Sequence, residues 1–195
     1  SDRDFLSIEN GSSGCWSSVG RTGGKQSVNL QTPGCVSKIG TVIHELLHAV
    51  GFLHEQNRED RDKFVKIMTK NIRQGYEINF AKAKAGETSA FGILYDYGSV
   101  LHYSANSFSK NGEPTIVAKQ STKDKMGQRE GFSTKDIEKL NKMYNCKQVT
   151  GASVEVTTTT QKPGESVLEN LIQAWFPNSN KDEDFQDFEQ DYCFP

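Results

Sequence analysis

Between residues 36 and 50 the apolar positions Val42, Ile43, Leu46, Leu47 and Val50 recur at intervals of three and four. That is the period of a helix with one buried stripe. Gly51 follows the last of them and is a typical helix stop, because glycine takes the left-handed turn without steric cost. The first 35 residues read differently. Gly11-Ser12-Ser13-Gly14 and Gly23-Gly24 cut them into short strands and turns, and Val28 and Leu30 alternate with polar neighbours. Ile72, Tyr76 and Phe80, each four apart, predict a second helix over residues 69–85. Residues 86–132 read as irregular, punctuated by Gly92, Gly98, Gly112 and Gly127. Ser133-Thr134-Lys135-Asp136 has the form of a capping box. It opens a third helix, with Ile137, Leu140 and Tyr144, that is expected to end at Cys146.

The pattern dissolves after Cys146. Residues 149–165 hold Thr157-Thr158-Thr159-Thr160 and Pro163-Gly164, a linker composition. A short amphipathic stretch follows over residues 166–176, and residues 181–195 are acidic with interleaved aromatics. The expected organisation is one domain over residues 1–146, then a linker and acidic, disordered tail over 147–195. Whole-chain charge is -2, which gives no global reason to expect nucleic-acid binding. It hides an asymmetry: residues 1–146 hold 20 Lys and Arg against 16 Asp and Glu, and the remainder holds 3 against 9. An acidic tail docked on the basic part is therefore an alternative to a free one. No apolar run approaches the roughly 20 residues of a membrane span.

Cys15, Cys35, Cys146 and Cys193 form no Cys-x-x-Cys pair, which argues against a thiolate zinc site. Wide spacing suits disulfides and an oxidising compartment, with free thiols as the other reading. Asn10-Gly11-Ser12 is a glycosylation sequon. The chain opens without an apolar signal segment, so a secreted protein would be a processed or truncated one.

Three of the four histidines lie within eleven residues, in His44-Glu45-Leu46-Leu47-His48-Ala49-Val50-Gly51-Phe52-Leu53-His54. On a helix, His44 and His48 share a face one turn apart, within reach of one zinc ion. A turn at Gly51 lets His54 swing back to the same metal. Three imidazoles leave a position open for water, the mark of a catalytic zinc site. Glu45 is too close to the first ligand to bind the same ion comfortably. It is placed to take a proton from that water and later give it to a leaving amine. The chemistry expected is metal-assisted hydrolysis of a peptide bond. Five fixed positions at about 5% usage each would coincide by chance in roughly one such chain in 10⁴ or fewer.

The motif is that of metzincin peptidases. Its continuation, Glu55-Gln56-Asn57-Arg58-Glu59-Asp60-Arg61-Asp62, resembles the astacin family, and the resemblance runs from about residue 5 to Cys146. It implies a zincin-like α/β (α+β) fold: a mixed sheet on the active-site helix, a cleft below, and an irregular C-terminal subdomain. It further implies a disulfide between Cys15 and Cys35. Ser99-Val100-Leu101-His102-Tyr103 looks like the family's Met-turn, so Tyr103 would contact zinc at rest and stabilise the oxyanion during reaction. His102 would not be a ligand. Gly127-Gln128-Arg129 looks like the segment lining the pocket for the residue after the cleaved bond, where Arg129 would favour Asp or Glu.

Two departures from the family pattern stand out. Leu101 occupies the methionine position of the Met-turn. The chain also starts well inside the family's catalytic domain, which implies a truncated piece. Glu55 would then lack its usual partner, a buried amino terminus, and Cys146 would be orphaned or paired with Cys193. The expectation is a secreted, monomeric zinc endopeptidase acting on protein or peptide substrates. A non-catalytic binding protein built on the zinc scaffold is the alternative.

Overall fold

The computed structural model describes residues 3–146. Strands β1 (Phe5–Glu9), β2 (Cys15–Ser17) and β3 (Lys25–Leu30) form a sheet in the order β1-β3-β2. β1 runs parallel to β3 and β2 antiparallel, so the sheet is mixed, as expected. Helix α1 (Ile39–Ala49) packs beneath it. Val28 and Leu30 of β3 meet Val42 and Ala49 of α1 around Cys35. The disulfide joining Cys15 to Cys35 ties the edge strand β2 to the loop that leads into α1. The opposite flank of α1 presents Ile43 and Leu47 to Val100, Leu101 and Leu140. α1 is thus held between the sheet and the C-terminal half. Fully burying each such side chain contributes about 1.5–3 kcal/mol.

The C-terminal half departs from the sequence reading in two places. No single helix spans residues 69–85. Short 3-10 turns at Thr69–Asn71 and Glu77–Phe80 flank a left-handed Gly75 (φ 88°). Distant segments hold this stretch instead: Met68 N–H, just before it, donates to Thr115 O (2.8 Å), and Arg73 N–H within it donates to Phe108 O (2.8 Å). Ile72 and Phe80 are buried as expected, but Tyr76 lies 39% exposed, so the fourfold spacing was not one helical face. The stretch read as irregular also contains a strand: β5 (Ile116–Ala118) pairs antiparallel with β4 (Val65–Ile67).

The third helix, α2 (Thr134–Met143), forms with its capping box complete. Ser133 Oγ accepts from the Asp136 amide (3.0 Å), and the Asp136 carboxylate accepts from the Ser133 amide (3.0 Å). α2 ends short of Cys146. Cys146 is disulfide-bonded, so the orphaned thiol is ruled out. Cys193 and the linker and tail expected over 147–195 lie outside the described residues.

Candidate metal centre

α1 carries His44 and His48 one turn apart on a buried face. The helix stops at Gly51, whose φ of 110° turns the chain back, with Gly51 N–H on His48 O (2.9 Å) and Phe52 N–H on Leu47 O (3.0 Å). His54 thereby returns to the helix. His48 Nε2 stands 3.1 Å from His44 Nε2 and 3.2 Å from His54 Nε2. These contacts are not hydrogen bonds. The His44 Nδ1–H donates to Val100 O (2.8 Å) and the His48 Nδ1–H to Phe52 O (2.7 Å), so both Nε2 atoms present lone pairs. Burial, with the neighbouring imidazoles, also keeps His44 and His54 neutral, depressing them to about 3 and about 2. Lone pairs packed this closely repel unless a cation lies between them. The edge of a tetrahedron with zinc–nitrogen bonds of 2.0–2.1 Å is roughly 3.3 Å, close to the spacing found. The donor set fits zinc.

Glu45 lies on the same helix, 6% exposed, and burial pushes its carboxyl up to about 7 against the opposing pull of Arg129. The Tyr103 ring lies against His54, tilted by 58° with ring centroids 4.5 Å apart. Its phenol is raised, mainly by burial, with Arg129 and Glu45 as the nearby charges. Glycines let the segment that carries Arg129 pack closely at two points, on α1 and beside the Tyr103 turn. Gly40 N–H donates to Arg129 O (3.1 Å), and a Cβ on Gly40 would fall 2.3 Å from the Arg129 carbonyl carbon. A Cβ on Gly127 would fall 2.6 Å from Ser104, next to Tyr103. One nitrogen of the Arg129 guanidinium, Nη1, donates to the carbonyls of Gln128 (2.7 Å) and His102 (3.3 Å). The structure therefore brings His44, His48, His54, Glu45, Tyr103 and Arg129 to one cleft.

The frame around the centre contains residues whose parts in it the sequence did not disclose. Gln56 is fully buried and accepts the Tyr103 amide (3.0 Å), fixing the turn that presents the phenol. His102 lies outside the triad, with Nδ1–H on Tyr103 O (2.6 Å) and Nε2 accepting from Tyr95 Oη (2.8 Å). Glu55, for which the resemblance implied a buried amino terminus as partner, is held here by three other groups: Arg58 (3.0 Å), Lys139 (2.5 Å) and the Asp96 amide (2.9 Å). Lys139 lies on α2, 84 residues away in sequence, and no local pattern could have paired them. Leu101 sits 4% exposed between α1 and α2. Leu and Met differ little in volume, and such swaps cost under about 1.5 kcal/mol. Leu101→Met is expected to leave zinc content and hydrolysis rate within a few-fold. A large gain would show that the sulfur contributes more than volume.

A mixed sheet laid over a helix that holds two of three converging imidazoles, the third delivered by a glycine turn, is the architecture of a zincin-type metallopeptidase. The family model for the astacin peptidases matches residues 1–145, and the chain belongs to that family. It is 46% identical over 138 residues to the zinc metalloproteinase nas-4 of Caenorhabditis elegans, covering 71% of this chain and 43% of the relative. It is 44% identical over 146 residues to the astacin-like metalloendopeptidase of Coturnix japonica, covering 74% and 35%. The chain thus spans less than half the length of either. Among solved structures it is similar to high choriolytic enzyme 1, a hatching enzyme zinc-protease from Oryzias latipes. There the TM-score is 0.70 at 38% identity, covering 75% of this chain and 72% of the other. No helix among the described residues is long and apolar enough to cross a membrane.

Proposed function

We propose that residues 1–146 are the catalytic domain of a secreted zinc endopeptidase, with 147–195 a linker and acidic tail. His44, His48 and His54 hold the metal. The observation that carries this reading is the convergence of three neutral imidazoles with a buried carboxylate on the helix position next to the first of them. When bound by these three histidines, zinc would supply Lewis acidity that lowers the pKa of the attacking water. Glu45 accepts the proton as water attacks the peptide carbonyl and returns it to the leaving amine. The Tyr103 hydroxyl donates to the carbonyl oxygen as charge develops there. Its raised phenol keeps that proton on the donor. A non-catalytic zinc scaffold has no use for this pair, and nothing in the cleft favours that alternative.

Metal analysis combined with casein or gelatin cleavage by the full-length precursor tests the reading. One zinc per chain with cleavage that stops on chelation is expected. Zinc bound without cleavage would favour the binding protein.

Arg129 gives the cleft a cation on the side of the first helical turn. The residue after the scissile bond is accordingly expected to be Asp or Glu. In a peptide library, Arg129→Ala should remove that preference, costing roughly 10-fold or more on acidic substrates while neutral ones change less. A library with no acidic enrichment would reject the assignment.

A further inference from the structure

Beyond the third histidine the cleft continues into a depression of about 320 Å³ that the proposed reaction leaves unused. His54 and Tyr103 line both it and the metal centre, so it opens directly onto the reacting position. Its rim is apolar and exposed: Ile78 keeps 76% of its surface in water and Leu53 41%. Its polar groups are committed elsewhere. Asn57 Nδ2 donates to Asn79 O (3.1 Å) and Ala81 O (2.6 Å), Lys82 pairs with Asp62 (2.7 Å), and Glu87 accepts from the Lys84 amide (2.9 Å). The same Asn57 contacts, with Ala83 N–H on Asn57 O (2.8 Å), hold the wall in place. The lining is mixed, but its apolar part, from Leu53, Ile78, Ala81 and Ala83, is the part without a partner, since Lys82 and Glu87 are already engaged.

Its position fixes what could fill it. The segment bearing Arg129 docks on the first turn of α1 at Gly40, whereas the depression begins at His54, past the helix C-terminus. Gly40 and His48 are eight residues apart, roughly 12 Å of helix. A peptide crossing the metal centre with its carboxyl-side residue on Arg129 would lay its amino-terminal side over the Ile78 rim. We infer that this depression is a specificity subsite for an apolar side chain on the amino-terminal side of the scissile bond. The inference rests on the peptidase reading for its orientation.

The test uses the zinc-loaded full chain and peptide pairs that share an acidic residue after the scissile bond. The members of a pair differ by Leu against Ser at one of the three positions before that bond. Hydrolysis is measured on ordinary peptides. Affinity is measured by fluorescence anisotropy on analogues whose scissile bond is a reduced, uncleavable CH₂–NH link. One position should favour Leu by about 10-fold, the lower end for an apolar group entering a hydrophobic pocket, in affinity and in KM. Ile78→Glu, a change at an exposed site, should bring that ratio below about threefold. A ratio near one at all three positions, or one that Ile78→Glu leaves intact, overturns the subsite. Loss of hydrolysis with the affinity ratio intact would reject the peptidase reading and uphold the subsite.

Discussion

Replacing Glu45 with alanine is expected to lower peptide hydrolysis by about 10²–10⁴-fold, the range a positioned general acid–base supplies, while one zinc per chain remains bound. The separation of the two readouts follows from the helix. His44 and His48 take their orientation from Val100 O and Phe52 O, and neither bond involves Glu45. These two ligands therefore have their tautomers set without the carboxylate. Stability should not fall with activity either. Burial disfavours the charged carboxylate at this position, so truncation relieves a desolvation cost. Metal content by atomic emission, melting temperature and initial rates on one protein preparation check all three. A rate within tenfold of the unmodified chain would remove Glu45 from the reaction. Loss of zinc would make it part of the metal site.

How far the sequence could be read depended on how local the signal was. α1, its glycine stop and the triad were legible because a helical period and a fixed spacing lie within one continuous stretch. The α2 capping box was legible for the same reason: both of its bonds fall within four residues. Misreading residues 69–85 has a physical cause. Ile72 and Phe80 face the core, but the Arg73 amide between them is claimed by Phe108 and the Met68 amide just before them by Thr115, while the Tyr76 and Asn79 amides close short i to i−3 turns. Tertiary pairing overrode an apparent period, and β4 and β5, three residues each, are too short to show one. Within the site, the imidazoles and Glu45 followed from their own chemistry. Tyr103 and Arg129 came from the family resemblance alone, since nothing near either of them marks a cleft. Gln56 was visible only as part of a motif, and Lys139 not at all.

Asp136 shows how a locally legible residue can have a larger part, and its removal should be the most damaging change outside the triad. Besides closing the α2 cap, its carboxylate accepts Ser99 Oγ–H (2.6 Å) and the Val100 amide (2.9 Å), all in a site with the aspartate 3% exposed. Val100 is the residue whose carbonyl holds the His44 ring. The order Asp136, Val100, His44 thus links the α2 terminus to a metal ligand. Asp136→Ala strands three donors that faced a charged acceptor, at about 1.5–3 kcal/mol each, for a loss of about 4.5–9 kcal/mol. At 2–4 °C or more per kcal/mol, the melting temperature should drop by more than about 10 °C. Zinc affinity should weaken by about 10–100-fold, as when a metal ligand loses its outer support. Ser133→Ala separates the two effects. It removes the cap hydroxyl together with that hydroxyl's bond to the buried Asp96 carboxylate, at about 2–4 kcal/mol in all, but leaves the Asp136 carboxylate on Val100 and should keep zinc affinity unchanged. Competition with a chromophoric chelator at a temperature where every variant is folded gives the dissociation constants. If Asp136→Ala melts early yet binds zinc as tightly as the unmodified chain, Asp136 caps a helix and does not position His44.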